Sequence, residues 1–458
     1  MILYFQDLSN PVLCSKLSQF LYKFNLENKN IMKLIVKPSK ISGTAAVPGS
    51  KSHTIRGVIA SILAEGESIL HSPLQSADTA SALNAAVKLG AKFHTSSDGA
   101  WHIQGIGRKI YTCPEIIDLG NSGTSLRLLS AAAGIFDKKI TFDGDSSLRT
   151  RTMDSLLKAL EILGAKTSSC NGKAPLSVQG PIRGGKCTVS GATSQYLSAL
   201  LFAVPFAAEN TIIDLEFLNE QPYVEMTLKW LDFLGIKYKA SKDLLHFEIE
   251  GNQKFNAFEK VIPADFSTSL FVLGAALQSG MGKGVEIENL DFSDTQGDKE
   301  VFRFFEQSGA KISYGKNVHI PAVQNLKGGK FDLNNVPDSL PIFSAVAAGI
   351  KGETFQCINV PQARIKETDR IDCMTRELRK MGGIIEELPD GMIVTGTQLH
   401  GSNELESYDD HRIGMALAVA ALNADSPSII NGIECAAVTY PDFVKQFQKL
   451  GADFKVIE

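Results

Sequence analysis

The chain has 458 residues, 44% of them hydrophobic and 21% charged, with 46 Lys and Arg against 50 Asp and Glu for a net charge of −4. The length implies two or more domains with full cores. The charge balance excludes a global basic field for nucleic acid and an acidic tail, and no apolar run approaches the ~18 residues of a membrane span. The seven cysteines form no Cys-x-x-Cys pair, and the eight histidines are dispersed. That pattern argues against a disulfide framework and against a zinc site, and fits a reducing cytoplasm.

Residues 1–31 lack a secretory signal pattern and read as an added segment with little role in the fold. Met32 opens a strand-like run, Leu34-Ile35-Val36. Next comes Pro48-Gly49-Ser50-Lys51-Ser52-His53-Thr54-Ile55-Arg56, a hydroxyl-rich turn with two cations that runs straight into apolar residues. It puts free N–H groups, a Lys and an Arg at a helix start, where the dipole favours anions. From this stretch alone, a plain N-capped helix with solvated charges reads equally well.

From there the chain repeats. Six segments read as amphipathic helices stopped by a glycine, at Gly90, Gly164, Gly235, Gly309, Gly382 and Gly451, about 72 residues apart. Each glycine is placed to be a left-handed C-cap. A pair of strands usually follows, as at 91–95 and 101–104. A second helix type is apolar nearly all round and so should be buried. Its polar starts are Ser50-Lys51-Ser52, Asn121-Ser122-Gly123, Thr193-Ser194-Gln195, Asp265-Phe266-Ser267, Asp338-Ser339 and Asp409-Asp410-His411. Two markers in one frame make an α/β chain of six units, each a buried helix, a strand, an amphipathic helix and a strand pair.

The polar residues that look out of place in a core fall at these starts or beside them: Lys51, Arg56, Arg127, Gln195, Asp338, His411 and Arg412. Two further charged stretches hold Arg149 and Arg151, and Arg364, Lys366, Glu367 and Arg370. If the helix starts face one cleft, they converge on a ligand with several anionic groups. Side-chain cations dominate there. A contact cation offers ~4 kcal/mol at an effective dielectric near 20, against ~0.3–1 kcal/mol for a helix terminus. A Walker loop is excluded because a residue separates Gly49 from Lys51. Gly280-Met281-Gly282-Lys283-Gly284 reads as a turn.

From Met32 onward the chain resembles the 3-phosphoshikimate 1-carboxyvinyltransferase (EPSP synthase) family. The matching stretches are Pro-Gly-Ser-Lys-Ser (48–52) with Arg56, Leu-Gly-Asn-Ser-Gly-Thr (119–124) with Arg127, Gly144-Asp145 with Arg151, Ser194-Gln195, Pro222-Tyr223 and Pro337-Asp338. Arg-Ile-Lys-Glu-Thr-Asp-Arg (364–370), Asp-Asp-His-Arg (409–412) and Tyr-Pro-Asp-Phe (440–443) complete the set. The resemblance implies two domains with a cleft between them, each built from three βαβαββ units. Residues 49–263 would form the N-terminal-type domain, and 32–48 with 264–458 a discontinuous C-terminal-type domain.

The implied reaction moves the enolpyruvyl group of phosphoenolpyruvate onto the 5-hydroxyl of shikimate 3-phosphate and releases phosphate, in chorismate biosynthesis. It implies no metal, no organic cofactor and no nucleic-acid or membrane partner, and a cytoplasmic monomer. By match, Asp338 is the base, Glu367 the proton donor to C3, and Lys51 a bridge between both substrates that shares in proton transfer. Lys51, Ser52, Arg56, Thr193, Ser194, Gln195, Asp338, Gln362 and Lys366 map onto shikimate-phosphate contacts. Lys51, Gly123, Arg151, Gln195, Arg370 and Arg412 map onto phosphoenolpyruvate contacts, with Asn121, Arg127 and His411 in support.

The sequence also departs from the family pattern. Val438 stands where a Lys is usual, Glu220 where a Ser is usual, and Gln362 where Asn is common; Leu128 and Thr152 replace prolines. Two alternatives follow. One is the related transferase acting on UDP-N-acetylglucosamine, although its reactive Cys loop and Gly-Lys-Asn start are not evident. The other is a weakened, non-catalytic anion-binding paralogue.

Overall fold

A computed structural model describes residues 31–112, 115–322 and 325–457. The expected extension, residues 1–31, lies outside them except for Ile31. The chain divides into two compact units, one running from Gly49 to Ile262, the other joining the segment that ends at Pro48 to Pro263 and beyond. The second break falls one residue before the expected one.

The first unit holds α1 (Lys51–Leu63), α2 (Ala77–Lys88), α3 (Gly123–Ala133), α4 (Asp154–Ile162), α5 (Ser194–Ala203) and α6 (Gln221–Phe233). The second holds α7 (Phe266–Ser279), α8 (Glu300–Gln307), α9 (Leu340–Ala348), α10 (Arg370–Lys380), α11 (His411–Leu422) and α12 (Phe443–Leu450). The odd-numbered helices are the buried kind: α1 is buried from His53 to Leu63 and α11 throughout. The even-numbered helices bury one face. In α8 that face is Val301, Phe302, Phe304 and Phe305, the i, i+3, i+4 spacing of an amphipathic helix. All six marker glycines have positive φ, from 74° at Gly235 to 108° at Gly451, so they stop the even helices as expected.

Among the described residues the sheets include six of four strands with one connectivity. In each, two parallel strands are followed by two antiparallel ones. The sheet Gly185–Thr188, Thr211–Asp214, His246–Ile249, Tyr238–Ala240 shows the pattern. Each unit completes a sheet with a strand from its own far end. Glu259–Val261 pairs with Glu67–His71 in the first unit. In the second, Lys33–Lys37 lies between Ser428–Asn431 and Asp453–Ile457. Each unit has its own hydrophobic core.

Two local expectations change. Gly280 to Gly284 is not a turn but the first part of the strand Gly280–Ile287, whose register slips between Gly280 and Val285. The glycines let the strand bulge, since Gly282 and Gly284 have φ of 58° and 88°. Asp338 does not open an α-helix directly; it sits in the 3-10 turn Pro337–Ser339 that leads into α9.

Gly164 follows α4 with φ 104°, and a Cβ there would meet Arg183 Cγ at 3.3 Å. The backbone conformation, more than crowding, opposes a side chain. Gly164→Ala is therefore expected to lower stability by about 1–2 kcal/mol in urea denaturation. An unchanged midpoint would show that the helix end tolerates another conformation.

Candidate active site

Each helix start in the first unit gathers its own polar set. Lys51, the first residue of α1, pairs its Nζ with Asp78 Oδ2 at 3.2 Å. Ser52 gives its carbonyl to Arg56 Nη1 at 3.1 Å. Arg56 also donates to Thr227 Oγ1 at 3.0 Å, Ser198 Oγ at 3.4 Å and the Tyr223 carbonyl at 3.1 Å. All four partners are neutral oxygens, and burial lowers the Arg56 pKa to about 10. A buried cation held this way keeps most of its field for an anion.

The α3 start joins five of the expected residues. Arg151 Nη2 donates to Asn121 Oδ1. Arg127 Nη1 donates to Gln195 Oε1 at 2.7 Å, and its guanidinium lies 5.5 Å from the Tyr196 ring centre. A Cβ at Gly123 would sit 2.2 Å from Arg151 Nη1, so a side chain there would displace the Arg151 guanidinium. The Tyr196 hydroxyl donates to the Thr152 carbonyl at 2.5 Å, fixing the position where a proline is usual.

The α5 start holds a carboxylate. Glu220, 1% exposed, sits in the left-handed region with φ 57° just before α6. Its Oε2 accepts from Thr193 Oγ1 at 3.3 Å, the Ser194 N–H at 3.1 Å and Ser194 Oγ at 2.7 Å. These donors form an anion seat at a helix N-terminus, and the protein's own carboxylate engages it.

In the second unit the expected residues meet around Arg370, which is 1% exposed. Its Nε donates to Asp410 Oδ2 at 2.8 Å, Nη1 to Asp338 Oδ1 at 2.8 Å, and Nη2 to Glu367 Oε2 at 2.6 Å. Burial alone would lower its pKa; the charges of Asp410, Glu367 and Asp338 outweigh that and hold it above the ordinary arginine value. Arg412 Nη2 reaches Asp338 Oδ2 at 2.8 Å, and Lys366 Nζ lies 4.0 Å from Asp338 Oδ1. Burial works to raise the Asp338 pKa, but Arg412, Lys366 and Arg370 hold its carboxyl well below the usual range. His411 is buried with Nδ1 4.0 Å from Asp410. Gln362 donates to the Asn334 carbonyl at 2.7 Å. Val438 ends the 3-10 helix Ile433–Val438, half-buried.

Two residues escaped the sequence reading. Asp78 looks like an acidic residue in the first turn of α2, an ordinary place for one. Asp298 likewise precedes α8, yet it is 1% exposed and accepts a hydrogen bond from Ser267 Oγ. Burial and the Asp338 charge push its pKa up to about 7, against Arg412 and Ser267.

The raised value makes Asp298 a proton-linked contributor to stability. The folded protein retains a proton that the unfolded chain, with a value near 3.8, has lost. This contribution is fully present below about pH 4, shrinks as pH rises from there, and is lost once pH has passed about 7. Asp298→Asn should remove that slope, so its stability relative to wild type rises between pH 5 and pH 7 in urea denaturation. Parallel stability curves would contradict it.

The EPSP synthase (3-phosphoshikimate 1-carboxyvinyltransferase) family model matches residues 35–447. The 3-phosphoshikimate 1-carboxyvinyltransferase of Acetivibrio thermocellus is 43% identical over 430 residues, 93% of this chain and 100% of the relative. That of Ruminiclostridium cellulolyticum is 41% identical over 432 residues, again 93% and 100%. Among solved structures, an EPSP synthase from Acinetobacter baumannii matches with a TM-score of 0.78 at 25% identity, covering 94% of this chain and 100% of that one. With a match running from the first strand of the second unit into α12, the chain belongs to the EPSP synthase family.

Proposed function

We propose that the protein transfers the enolpyruvyl group of phosphoenolpyruvate to the 5-hydroxyl of shikimate 3-phosphate, giving 5-enolpyruvylshikimate 3-phosphate and phosphate. The observation that carries this reading is the set of cations Arg370, Arg412 and Lys366 around Asp338, with Arg370 also holding Glu367. Both substrates are polyanions, and an almost neutral protein needs such a local cation store.

The 5-hydroxyl oxygen bonds to C2 of phosphoenolpyruvate and its proton goes to Asp338, while Glu367 gives a proton to C3. The tetrahedral intermediate then expels phosphate, which takes the proton held by Asp338, while the C3 proton returns to Glu367 and the double bond is restored. With three cations around it, Asp338 is a weak base. An anionic substrate that draws Arg412, Lys366 or Arg370 to itself removes part of that hold and raises the basicity of Asp338 when it is needed. Lys51, Gly123, Arg151, Gln195, Arg370 and Arg412 are assigned to phosphoenolpyruvate. Lys51, Ser52, Arg56, Thr193, Ser194, Gln195, Asp338, Gln362 and Lys366 are assigned to shikimate 3-phosphate, with Asn121, Arg127 and His411 positioning them. A cytoplasmic monomer completes the reading. The five described cysteines are free and four are buried, which fits a reducing compartment.

The test is phosphate release from phosphoenolpyruvate with shikimate 3-phosphate, set against UDP-N-acetylglucosamine. Release is expected only with the first. Asp338→Ala and Glu367→Ala should each cut turnover by orders of magnitude with modest effects on substrate binding; wild-type turnover in either overturns its role.

Glu220 favours a second reading, a protein that holds anions weakly and does not turn over. Its carboxylate engages donors that the proposal assigns to the substrate phosphate. If the carboxylate competes for them, Glu220→Ser should lower the Kd for shikimate 3-phosphate, measured by calorimetry, by about tenfold or more and leave the Kd for phosphoenolpyruvate nearly unchanged. An unchanged or raised Kd for shikimate 3-phosphate would show that Glu220 is no competitor.

A further inference from the structure

The histidines are dispersed in sequence but not in the sheet. The strand Trp101–Gln104 lies between Glu67–His71 and Lys92–Thr95. Its register sets His102 directly opposite His94 on one side and Ile69 on the other. Glu67, two residues before Ile69, lies on the same face as Ile69. Ser68, Leu70, Phe93, Trp101 and Ile103 point the other way and are buried. Glu67, His94 and His102 therefore share the outer face of one sheet.

The three are close enough to act together. The His94 and His102 rings stack with centres 4.4 Å apart and planes 20° from parallel. One ligand atom from each of Glu67, His94 and His102 lies within 4.8 Å of the others. His102 Nδ1 is 3.6 Å from Glu67 Oε2 and, although buried, makes no hydrogen bond among the described residues. A tetrahedral zinc with bonds of about 2.0–2.1 Å spaces its ligand atoms about 3.3–3.4 Å apart, so that pair is already near coordination distance. Turning the His94 ring out of its stack on His102 would bring in its ring nitrogen. Two imidazoles and a carboxylate are a donor set suited to zinc and its neighbours. The other sheet histidine, His71, is paired with Glu259 at 2.7 Å.

We propose that Glu67, His94 and His102 form a binding site for a divalent transition-metal ion of the zinc class, with solvent completing the coordination. None of the three is assigned to the transfer reaction. The ion clamps three adjacent strands at the surface of the first unit, a structural role, and the site does not depend on the proposed activity.

The test is titration of Zn2+ into metal-depleted full-length protein by calorimetry, with wild type, His94→Ala, His102→Ala and Glu67→Gln. One zinc per chain is expected in wild type. Loss of either histidine should weaken binding more than about tenfold, with a smaller loss for Glu67→Gln. His400→Ala, at an exposed histidine paired with Asp425, serves as the control and should bind as wild type does. All three positions are on a sheet surface, and circular dichroism of the apo variants establishes that they fold. Absence of saturable binding in wild type, or equal affinity in the His94 and His102 variants, overturns the proposal.

Discussion

A guanidinium taken out of water must be met by hydrogen-bond acceptors, and Arg370 meets that requirement with three carboxylates. The desolvation penalty is several kcal/mol per ion, so every partner counts. The partners come from three places: Asp338 in the turn before α9, Glu367 just upstream of α10, and Asp410 at the N-cap of α11. One buried cation thereby ties together the starts of three helices. Asp410 is used twice, since its Oδ1 also accepts the Arg412 N–H at 2.9 Å. Removing Arg370 itself would leave the fully buried Asp410 carboxylate without that cation, and breaking a buried pair in this way costs about 3–5 kcal/mol. The arrangement is stable only as a set, and it holds Arg412 and Lys366 beside Asp338.

The two units keep their buried arginines differently. Arg56, Arg127 and Arg151 donate to hydroxyl, amide and carbonyl oxygens. Arg370 and Arg412 donate to carboxylates. A cation on neutral oxygens is ready for an anion. One on a carboxylate must be shared or released, and the carboxylate changes its basicity when that happens. The two sets of arginines are thus differently prepared for an anion.

The repeat was legible because it rests on chain periodicity. Glycines such as Gly90 and Gly382 mark helix ends by backbone conformation, and apolar helices such as α11 announce their burial by composition. The cations were legible because Lys51, Arg127 and Arg370 are unusual neighbours for apolar runs. Two buried acids beside them were not. Asp78 and Asp298 sit in first helical turns, where an acid needs no special explanation, and only the fold shows that Asp298 lies beside Asp338. Glu220 stood out as a departure, but what it contacts depends on a helix start some 26 residues away. The pairing of His94 with His102 was hidden for the same reason, because cross-strand neighbours leave no trace in linear spacing.

The strand Lys33–Lys37 lies inside a sheet whose other strands come from the far end of the chain. On the ribosome it emerges first and has no partners until Ser428–Asn431 and Asp453–Ile457 are made. The whole first unit is synthesised in the interval and can fold in between. The second unit must then close its sheet around a strand that has waited throughout synthesis, against the entropy of joining distant segments. Premature termination near the C-terminus would strand an intact first unit beside an unfinished second one.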